Sequence, residues 1–151
     1  MKYDDVAWHH GGDFPADVPP EAGATHIGAF LHWLIINDRI GDELREDSVD
    51  AIAAVRSGTM TGARFLMSEL DGKLIDEDFD DEGNAFALAY YEGHGGGSPY
   101  IADYLATLDV TTAPDSFYRV PDGSSTQEAL STVIGARYAE WVDAGRPAVL
   151  E

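Results

Sequence analysis

The sequence predicts a mainly α fold, a single compact helical domain of about five or six helices with at most a small β element. The stretch from Ile27 to Ile36 is apolar on nearly every face, as expected of a central buried helix. Elsewhere apolar residues recur at helical spacing, and the periodic segments end at glycines. The only segment with β character, Phe117–Val120, is short and is bounded by Asp115 and by a Pro121-Asp122-Gly123 turn.

The first 23 residues predict an irregular N-terminal arm that packs on the rest of the domain. Prolines and a Gly11-Gly12 pair interrupt this arm, while Trp8 and Phe14 are too apolar for a free tail. Thr25 fits the N-cap of the first helix, which should run from His26 to Asn37. Residues 1–151 are therefore expected to form one domain, with 1–23 as the arm.

Two further helices follow, each with a glycine just beyond its end. Ser48 or Asp47 can cap a helix over residues 49–57, and Gly58 then ends it. Thr61 opens the next helix, which ends before Gly72. Each glycine permits the left-handed backbone that commonly closes a helix.

The second half of the chain predicts three more helices. Residues 84–92 are mostly apolar and follow an acidic first turn. The glycine-rich segment Gly93–Gly97 predicts a flexible connection, after which Ser98-Pro99 provides a cap and a first-turn proline. The last helix is predicted over about residues 126–143.

Composition sets limits on the class of protein. The chain has 151 residues, 44% of them hydrophobic, which is enough for one domain with a real core. It has no cysteine, which excludes disulfides, thiolate catalysis and sulfur-ligated metal sites. No signal-peptide pattern opens the chain, and its longest apolar run is about half of a membrane span. These features predict a cytoplasmic protein that does not enter a membrane.

Charge is the most unusual property of the sequence. The chain carries 28 acidic residues against 9 Lys and Arg, a formal net charge of −19. Such a field repels phosphate, so nucleic acid is not an expected partner, whereas a basic protein is. Six carboxylates fall within residues 76–82, here called the acidic stretch, and are the predicted partner-binding residues: Asp76, Glu77, Asp78, Asp80, Asp81 and Glu82.

Motifs for metal or cofactor binding are incomplete. With Asp78 as position 1 of a calcium loop, Gly83 falls at the turn position, but position 12 is Ala89 where a bidentate Glu is needed. The Gly93–Gly97 segment lacks the lysine and the frame of a phosphate-binding loop. The sequence therefore predicts no cofactor, no metal site and no catalytic residue.

Histidines are the remaining candidates for chemistry. His26 and His32 are six residues apart, roughly 120° around a helix, so they do not share a face. His9 could meet His26 only if the arm folds over the first helix. In that case Trp8, His9 and His26 would form a pocket beneath the arm, and a carboxylate within hydrogen-bond reach would favour an enzyme.

Several blocks of the chain form a recognisable pattern. They are Tyr3-Asp4-Asp5, Trp8-His9, Gly12-Asp13-Phe14-Pro15, Glu21-Ala22-Gly23-Ala24-Thr25-His26-Ile27-Gly28, Asp71-Gly72-Lys73, Glu82-Gly83-Asn84-Ala85-Phe86-Ala87 and Tyr100-Ile101-Ala102-Asp103-Tyr104. These blocks resemble a family of small, acidic, uncharacterised bacterial proteins, a domain of unknown function. The resemblance covers most of the chain up to Leu108 and is loose afterwards, apart from the Tyr138 to Trp141 helix. It implies a compact domain that includes the arm, with no assigned reaction and no catalytic residue to transfer.

The favoured functional hypothesis is a cytoplasmic acidic binding protein, such as an immunity protein that neutralises a basic toxin. One alternative is a small-ligand protein or hydrolase-type enzyme with the His-lined pocket under the arm. A third is that the acidity serves only solubility or adaptation to salt, with no specific partner. The sequence favours a binding protein over an enzyme and leaves the oligomeric state open.

Overall fold

The computed structural model describes residues 1–93 and 97–150 and confirms the predicted fold class, a compact helical domain with a small β element. Among these residues the number of α-helices exceeds the five or six predicted, because three of the helices have six residues or fewer. The strands are β1 (Lys2–Asp5) and β2 (Lys73–Ile75); the helices are α1 (Thr25–Ile36), α2 (Asp42–Asp47), α3 (Val49–Ser57), α4 (Gly62–Glu69), α5 (Asp81–Phe86), α6 (Pro99–Leu108), α7 (Pro114–Phe117) and α8 (Ser124–Asp143).

Helix α1 lies at the centre of the core, as its apolar sequence predicts. Ten of its twelve residues are buried, from Thr25 through Ile35, with only His32 and Ile36 more accessible. Helix α4 crosses it in close contact, because Gly28 and Gly62 face each other without side chains. A Cβ built on Gly62 would lie 1.9 Å from the Gly28 carbonyl oxygen, so the two backbones touch.

Aromatic rings fill the space between α1 and the second half of the chain. Phe30 packs against Tyr91 and Tyr100, with ring centroids 4.9 and 5.4 Å apart. Trp33 packs against Phe86 and against Tyr138 of α8. Residues Ala87–Glu92 form a π-helical turn that continues α5 and brings Tyr90 and Tyr91 into this core.

The two strands form an antiparallel pair that ties the start of the chain to the segment after α4. Lys2 pairs with Ile75 and Asp4 pairs with Leu74, so one extra residue of β1 stands between these positions. This irregularity is a β-bulge, a feature that re-aims side chains locally. Consequently Tyr3 and Asp4 are both buried, at 5% and 8% exposure, instead of alternating in and out.

Several local predictions need correction. The β-leaning segment Phe117–Val120 is not a strand: Phe117 ends α7, which Pro114 starts at the first helical position. Thr25 is the first residue of α1 and makes no cap hydrogen bond, since a 3-10 helix over Pro20–Ala24 leads directly into it. Parts of segment 1–23 are regular, because β1 is followed by a 3-10 helix over Val6–His9. The predicted glycine-rich connection includes residues 94–96, which lie outside the described residues.

None of the helices in the described ranges combines the length and the apolar character needed to cross a bilayer.

Candidate functional site

Asp4, His9 and His26, here called the Asp4 cluster, converge from three separate segments of the chain. Asp4 lies on the bulged strand β1, His9 ends the following 3-10 helix, and His26 is the second residue of α1. One ligand atom from each side chain lies within 4.8 Å of the other two. The imidazole rings of His9 and His26 meet edge to face, with centroids 4.5 Å apart.

Asp4 is the hub of the cluster. Its Oδ1 accepts the Asp5 backbone N–H at 2.8 Å and lies 2.8 Å from His9 Nε2. Its Oδ2 accepts the Tyr91 hydroxyl at 2.5 Å and lies 3.5 Å from His26 Nε2. Burial alone would raise the pKa of Asp4, but the hydrogen bonds from His26, His9 and Tyr91 hold that pKa well below its usual range. Asp4 is therefore a buried, ionised carboxylate at neutral pH.

His26 is 1% exposed, and one of its ring nitrogens meets no polar group of the described residues. Burial lowers its pKa, so the imidazole is neutral and can offer a lone pair. Its Nδ1 has no hydrogen-bond partner among the described residues. The ring packs edge to face on Phe117, at a centroid distance of 4.9 Å. Because buried polar atoms are usually hydrogen-bonded, this nitrogen is an exception within the described part of the chain.

His9 is oriented from its opposite side by Tyr118. The Tyr118 hydroxyl lies 2.8 Å from His9 Nδ1, while Nε2 points at Asp4. Burial and the Asp4 charge raise the pKa of Tyr118, so this phenol is protonated at neutral pH. Tyr91 is held protonated by the same two causes, with its pKa well above the ordinary value. Two neutral phenols thus flank the Asp4 cluster.

The Asp4 cluster opens onto a cavity of about 360 Å³. Trp8, His9 and His26, the three predicted pocket residues, all line it, and Trp8 is 59% exposed. A cavity of this volume suits a small molecule. Its further lining residues are Tyr3, Asp4, Tyr91, Glu92, Ser98, Ile101, Thr112, Phe117 and Tyr118.

Among the described residues, the Asp4 cluster offers the donor set best suited to a metal ion. Two imidazoles and one carboxylate form the ligand set of many catalytic zinc sites and of non-haem iron sites. Both classes leave coordination positions open for water or substrate. The sequence predicted no metal site here, because nothing in its spacing joined Asp4 to the histidines.

The acidic stretch is partly committed to contacts within the chain. Asp76 lies 3.0 Å from the N-terminal amine. Asp80 accepts the Gly83 backbone N–H at 2.7 Å and so caps α5. Glu82 contacts Tyr138 and lies 2.5 Å from Arg146 Nε. Glu77 and Asp81 are the exposed carboxylates of the stretch.

Asp78, the remaining member of the acidic stretch, is partly buried. Burial, with the neighbouring charges of Glu77, Glu43 and Asp76, raises its pKa to about 6. Three carboxylates of the stretch thus make contacts within the chain, one is partly buried with a raised pKa, and two are exposed. Only these two exposed residues, of the six predicted to bind a partner, are fully available at the surface.

Sequence reasoning missed three residues of the site: Asp4, Tyr91 and Tyr118. In the sequence Asp4 is one of 28 acidic residues, and its one local signal is its place between Tyr3 and Val6, two residues suited to a buried strand. Tyr91 and Tyr118 lie 87 and 109 residues from their partners Asp4 and His9. Periodicity assigns such tyrosines to a core and cannot identify the group that each hydroxyl meets.

Comparison with known proteins relates the chain to a protein family. Neither the curated proteins nor the solved structures contain a match to the chain. A family described as a domain of unknown function, DUF7832, matches residues 2–120. That range includes the Asp4 cluster with Tyr91 and Tyr118, and it ends before α8. Because the match spans well over half of the sequence, the chain belongs to the DUF7832 family.

Proposed function

We propose that this chain binds a divalent transition-metal ion through Asp4, His9 and His26 and uses the ion on a small molecule in the adjacent cavity. The observation that carries the proposal is the convergence of these three donors at a cavity, from three separate segments. It develops the alternative of a small-ligand protein or hydrolase-type enzyme under the arm.

The protonation states support metal binding. A metal ligand must present a lone pair, so carboxylates must be ionised and imidazoles neutral. The lowered pKa of Asp4 and the lowered pKa of His26 give both groups those forms at neutral pH. A cation among the three side chains would occupy the space where N–H protons now lie between Asp4 and the imidazoles.

The side chains that contact the candidate ligands also support a metal site. Ligating histidines usually bond their second nitrogen to a carbonyl, carboxylate or other polar group, which fixes the ring orientation. Tyr118 supplies that contact to His9 at 2.8 Å, and Tyr91 orients the Asp4 carboxylate at 2.5 Å. Two of the three candidate ligands are thus held by a second side chain.

Hydrolysis is the reaction class that this arrangement favours. A bound divalent ion with open positions polarises a carbonyl or phosphoryl oxygen and lowers the pKa of bound water toward 7. The cavity beside the cluster holds the substrate, and Phe117 and Ile101 provide apolar wall there. The side chains of Asp4, His9 and His26 would hold the ion, while Tyr118 and Tyr91 would fix the orientations of His9 and Asp4.

Metal titration of chelator-treated protein tests the proposal. Zn²⁺, Mn²⁺ and anaerobic Fe²⁺ are titrated by calorimetry, and Co²⁺ is titrated with detection of its visible absorption bands. His9→Asn removes one ligand at a half-buried position, and its neighbour His10→Asn is the matched control. His10 is exposed and its ring lies 2.8 Å from the Pro20 carbonyl, outside the cluster.

We expect one equivalent of metal to bind tightly, with affinity falling roughly 100-fold in His9→Asn and unchanged in His10→Asn. A background of weak binding to exposed carboxylates would be equal in all three proteins. The proposal fails if no stoichiometric site is found or if both histidine variants bind alike. Hydrolysis of small esters and phosphodiesters by the metal-loaded protein, lost in His9→Asn only, tests the catalytic part separately.

A second candidate is the acidic binding protein, with an immunity protein as its sharpest form. The observation that favours it is the crowding of six carboxylates within residues 76–82, whose charges repel one another and two of which, Glu77 and Asp81, are exposed. A cationic partner would relieve that repulsion. Glu77→Gln with Asp81→Asn should then slow capture of a basic protein at low salt, and an unchanged rate would count against this candidate. The cytoplasmic location stays a prediction from the sequence.

A further inference from the structure

A second, larger cleft of about 660 Å³ lies between α4, the segment before α1 and the segment after α7. Its walls are largely apolar and its remaining lining is polar or charged. The apolar lining comes from Val18, Pro19, Ala22, Ala24, Ala63, Met67 and Val120, with the ring of Tyr118. The other lining residues are Glu21, Thr25, Arg64, Ser68, Arg119 and Asp122.

Arg64, on the wall formed by α4, differs in its surroundings from the other Lys and Arg side chains of the described residues. Among the described residues it is the one Lys or Arg side chain with no carboxylate within 4.0 Å, although the chain has 28 acidic residues for 9 basic ones. The other eight are each paired: Lys2, Arg39, Arg45, Arg56, Lys73, Arg119, Arg137 and Arg146. Arg64 is therefore, with respect to the described part of the chain, a guanidinium without an acidic partner in a strongly acidic protein.

The surroundings of Arg64 define what could pair with it. Met67 lies one turn along the same helix and is 38% exposed on the cleft wall, so an apolar surface adjoins the charge. Arg119 on the opposite wall is already committed to Asp17 and Asp115, at 2.8 and 3.0 Å. One cation is thus available for a ligand that has an apolar body.

Carboxylates on the walls of the cleft further restrict the class of ligand that it could bind. Glu21 and Asp122 also line the cleft and would repel a ligand with several negative charges. A nucleotide or a diphosphate is therefore disfavoured, whereas a single carboxylate can reach Arg64 with less repulsion. Guanidinium and carboxylate have matching planar geometry, which adds specificity to this pairing.

We propose that this cleft binds an aliphatic monocarboxylate, with its chain along Met67 and Val120 and its carboxylate on Arg64. The site is separate from the Asp4 cluster and does not depend on the metal proposal. Tyr118 lines both cavities, so the two sites are neighbours in the fold.

Calorimetric titration with decanoate, below its micelle concentration and on metal-free protein, tests the assignment. Arg64→Gln removes the charge and keeps most of the side-chain length. Arg45→Gln is the matched control, because Arg45 is a surface residue paired with Asp38 and Asp42 and does not line the cleft. Met67→Glu places a carboxylate on the apolar wall at an exposed position. Decanol serves as the uncharged ligand.

We expect saturable binding of one decanoate, weakened roughly three- to fivefold in Arg64→Gln, abolished in Met67→Glu and unchanged in Arg45→Gln. Decanol should bind wild type and Arg64→Gln equally. The assignment is overturned if decanoate does not bind, if binding is non-saturable, or if Arg64→Gln leaves decanoate affinity unchanged. Preference for decylamine over decanoate would also overturn it, since the cleft would then select cations.

Discussion

The crossing of α1 and α4 provides the sharpest test of how this fold is held together. Gly28 of α1 lies two residues beyond His26, so this contact also fixes the position of the candidate site. A Cβ added at Gly28 would lie 2.2 Å from the Ala63 backbone nitrogen and 2.3 Å from the Ala63 Cα. Both neighbours are backbone atoms, which cannot rotate away as a side chain could. Gly28→Ala must therefore push the two helices apart.

The cost follows from that displacement. Ordinary contacts begin near 3.5 Å, so the helices would separate by about 1 Å or more, a gap that forfeits a quarter to a half of the dispersion energy of the atoms involved. Overpacking typically costs about 1–3 kcal/mol, and the upper end applies here because the obstructing atoms belong to the backbone. The better helix propensity of alanine returns about 1 kcal/mol, so the expected net loss in the free energy of unfolding is about 2 kcal/mol.

Gly135→Ala is the matched control, because Gly135 is also a helix-interior glycine. Its added Cβ would meet only Trp33 Nε1, at an ordinary 3.6 Å. Only the better helix propensity of alanine then matters, so the free energy of unfolding of this variant should rise by about 0.5–1 kcal/mol. Urea unfolding followed by far-ultraviolet circular dichroism measures both changes. A loss below about 1 kcal/mol for Gly28→Ala, or equal effects of the two substitutions, would refute this account of the crossing.

Three further perturbations test the electrostatics and hydrogen bonds. Because the pKa of Asp78 is raised from 3.8 to about 6 in the folded state, folding stability should fall as pH rises through that window. Asp78→Asn should therefore stabilise the protein by about 1 kcal/mol at pH 7, after allowance for solvent screening, and by nothing at pH 3.5; thermal unfolding at both pH values checks this. Tyr118→Phe should weaken metal binding about tenfold with little effect on unfolding, and unchanged affinity by calorimetry would remove Tyr118 from the site. Asp103→Asn should cost about 2–3 kcal/mol in urea unfolding, because Asp103 bonds Arg137 at 2.8 and 3.0 Å and Tyr90 at 2.7 Å; a loss under 0.5 kcal/mol would contradict that role.

Sequence reasoning succeeded where local chemistry decides the structure. The apolar run around Ile27 to Ile36 gave α1 within one residue at each end, since few positions of that helix can face water. The predicted stop at Gly58 and the predicted cap at Thr61 are both present, with Gly58 at φ 81° and Thr61 Oγ accepting the Arg64 N–H. Turn and cap chemistry depends on neighbours in the chain, so one sequence can reveal it.

Prediction from the sequence was wrong, or gave no result, where contacts between distant segments determine the local structure. Phe117 has β propensity, but Pro114 begins a helical turn, and the ring packs on His26 from outside the local sequence. Strand β1 was missed because its partner β2 lies about 70 residues away and because the bulge removes the alternation that marks a strand. Propensity is a weak prior when tertiary packing determines the outcome.

The candidate site was likewise predicted in part from the sequence and completed only by the structure. Trp8, His9 and His26 were brought together from the sequence on the condition that the arm lies over α1, and all three line one cavity. Asp4 was assigned to the site only through the structure, because nothing in the sequence distinguishes it from the other acidic residues of the chain. Among the described residues it is the carboxylate that faces two imidazoles. A sequence shows residue types and spacing, and a ligand set is defined by distances across the fold.

The amino-acid sequence alone determined that this protein is a mainly helical domain with an apolar central helix and a net charge of −19, because composition and periodicity govern burial and solvation. The tertiary structure alone decided which charged residues contact other groups of the protein. It placed Asp4 among histidines and tyrosines, tied Asp76, Asp80 and Glu82 into contacts within the chain, and left Arg64 unpaired among the described residues. Electrostatic roles depend on distance and burial, and both are set only when remote parts of the chain pack together.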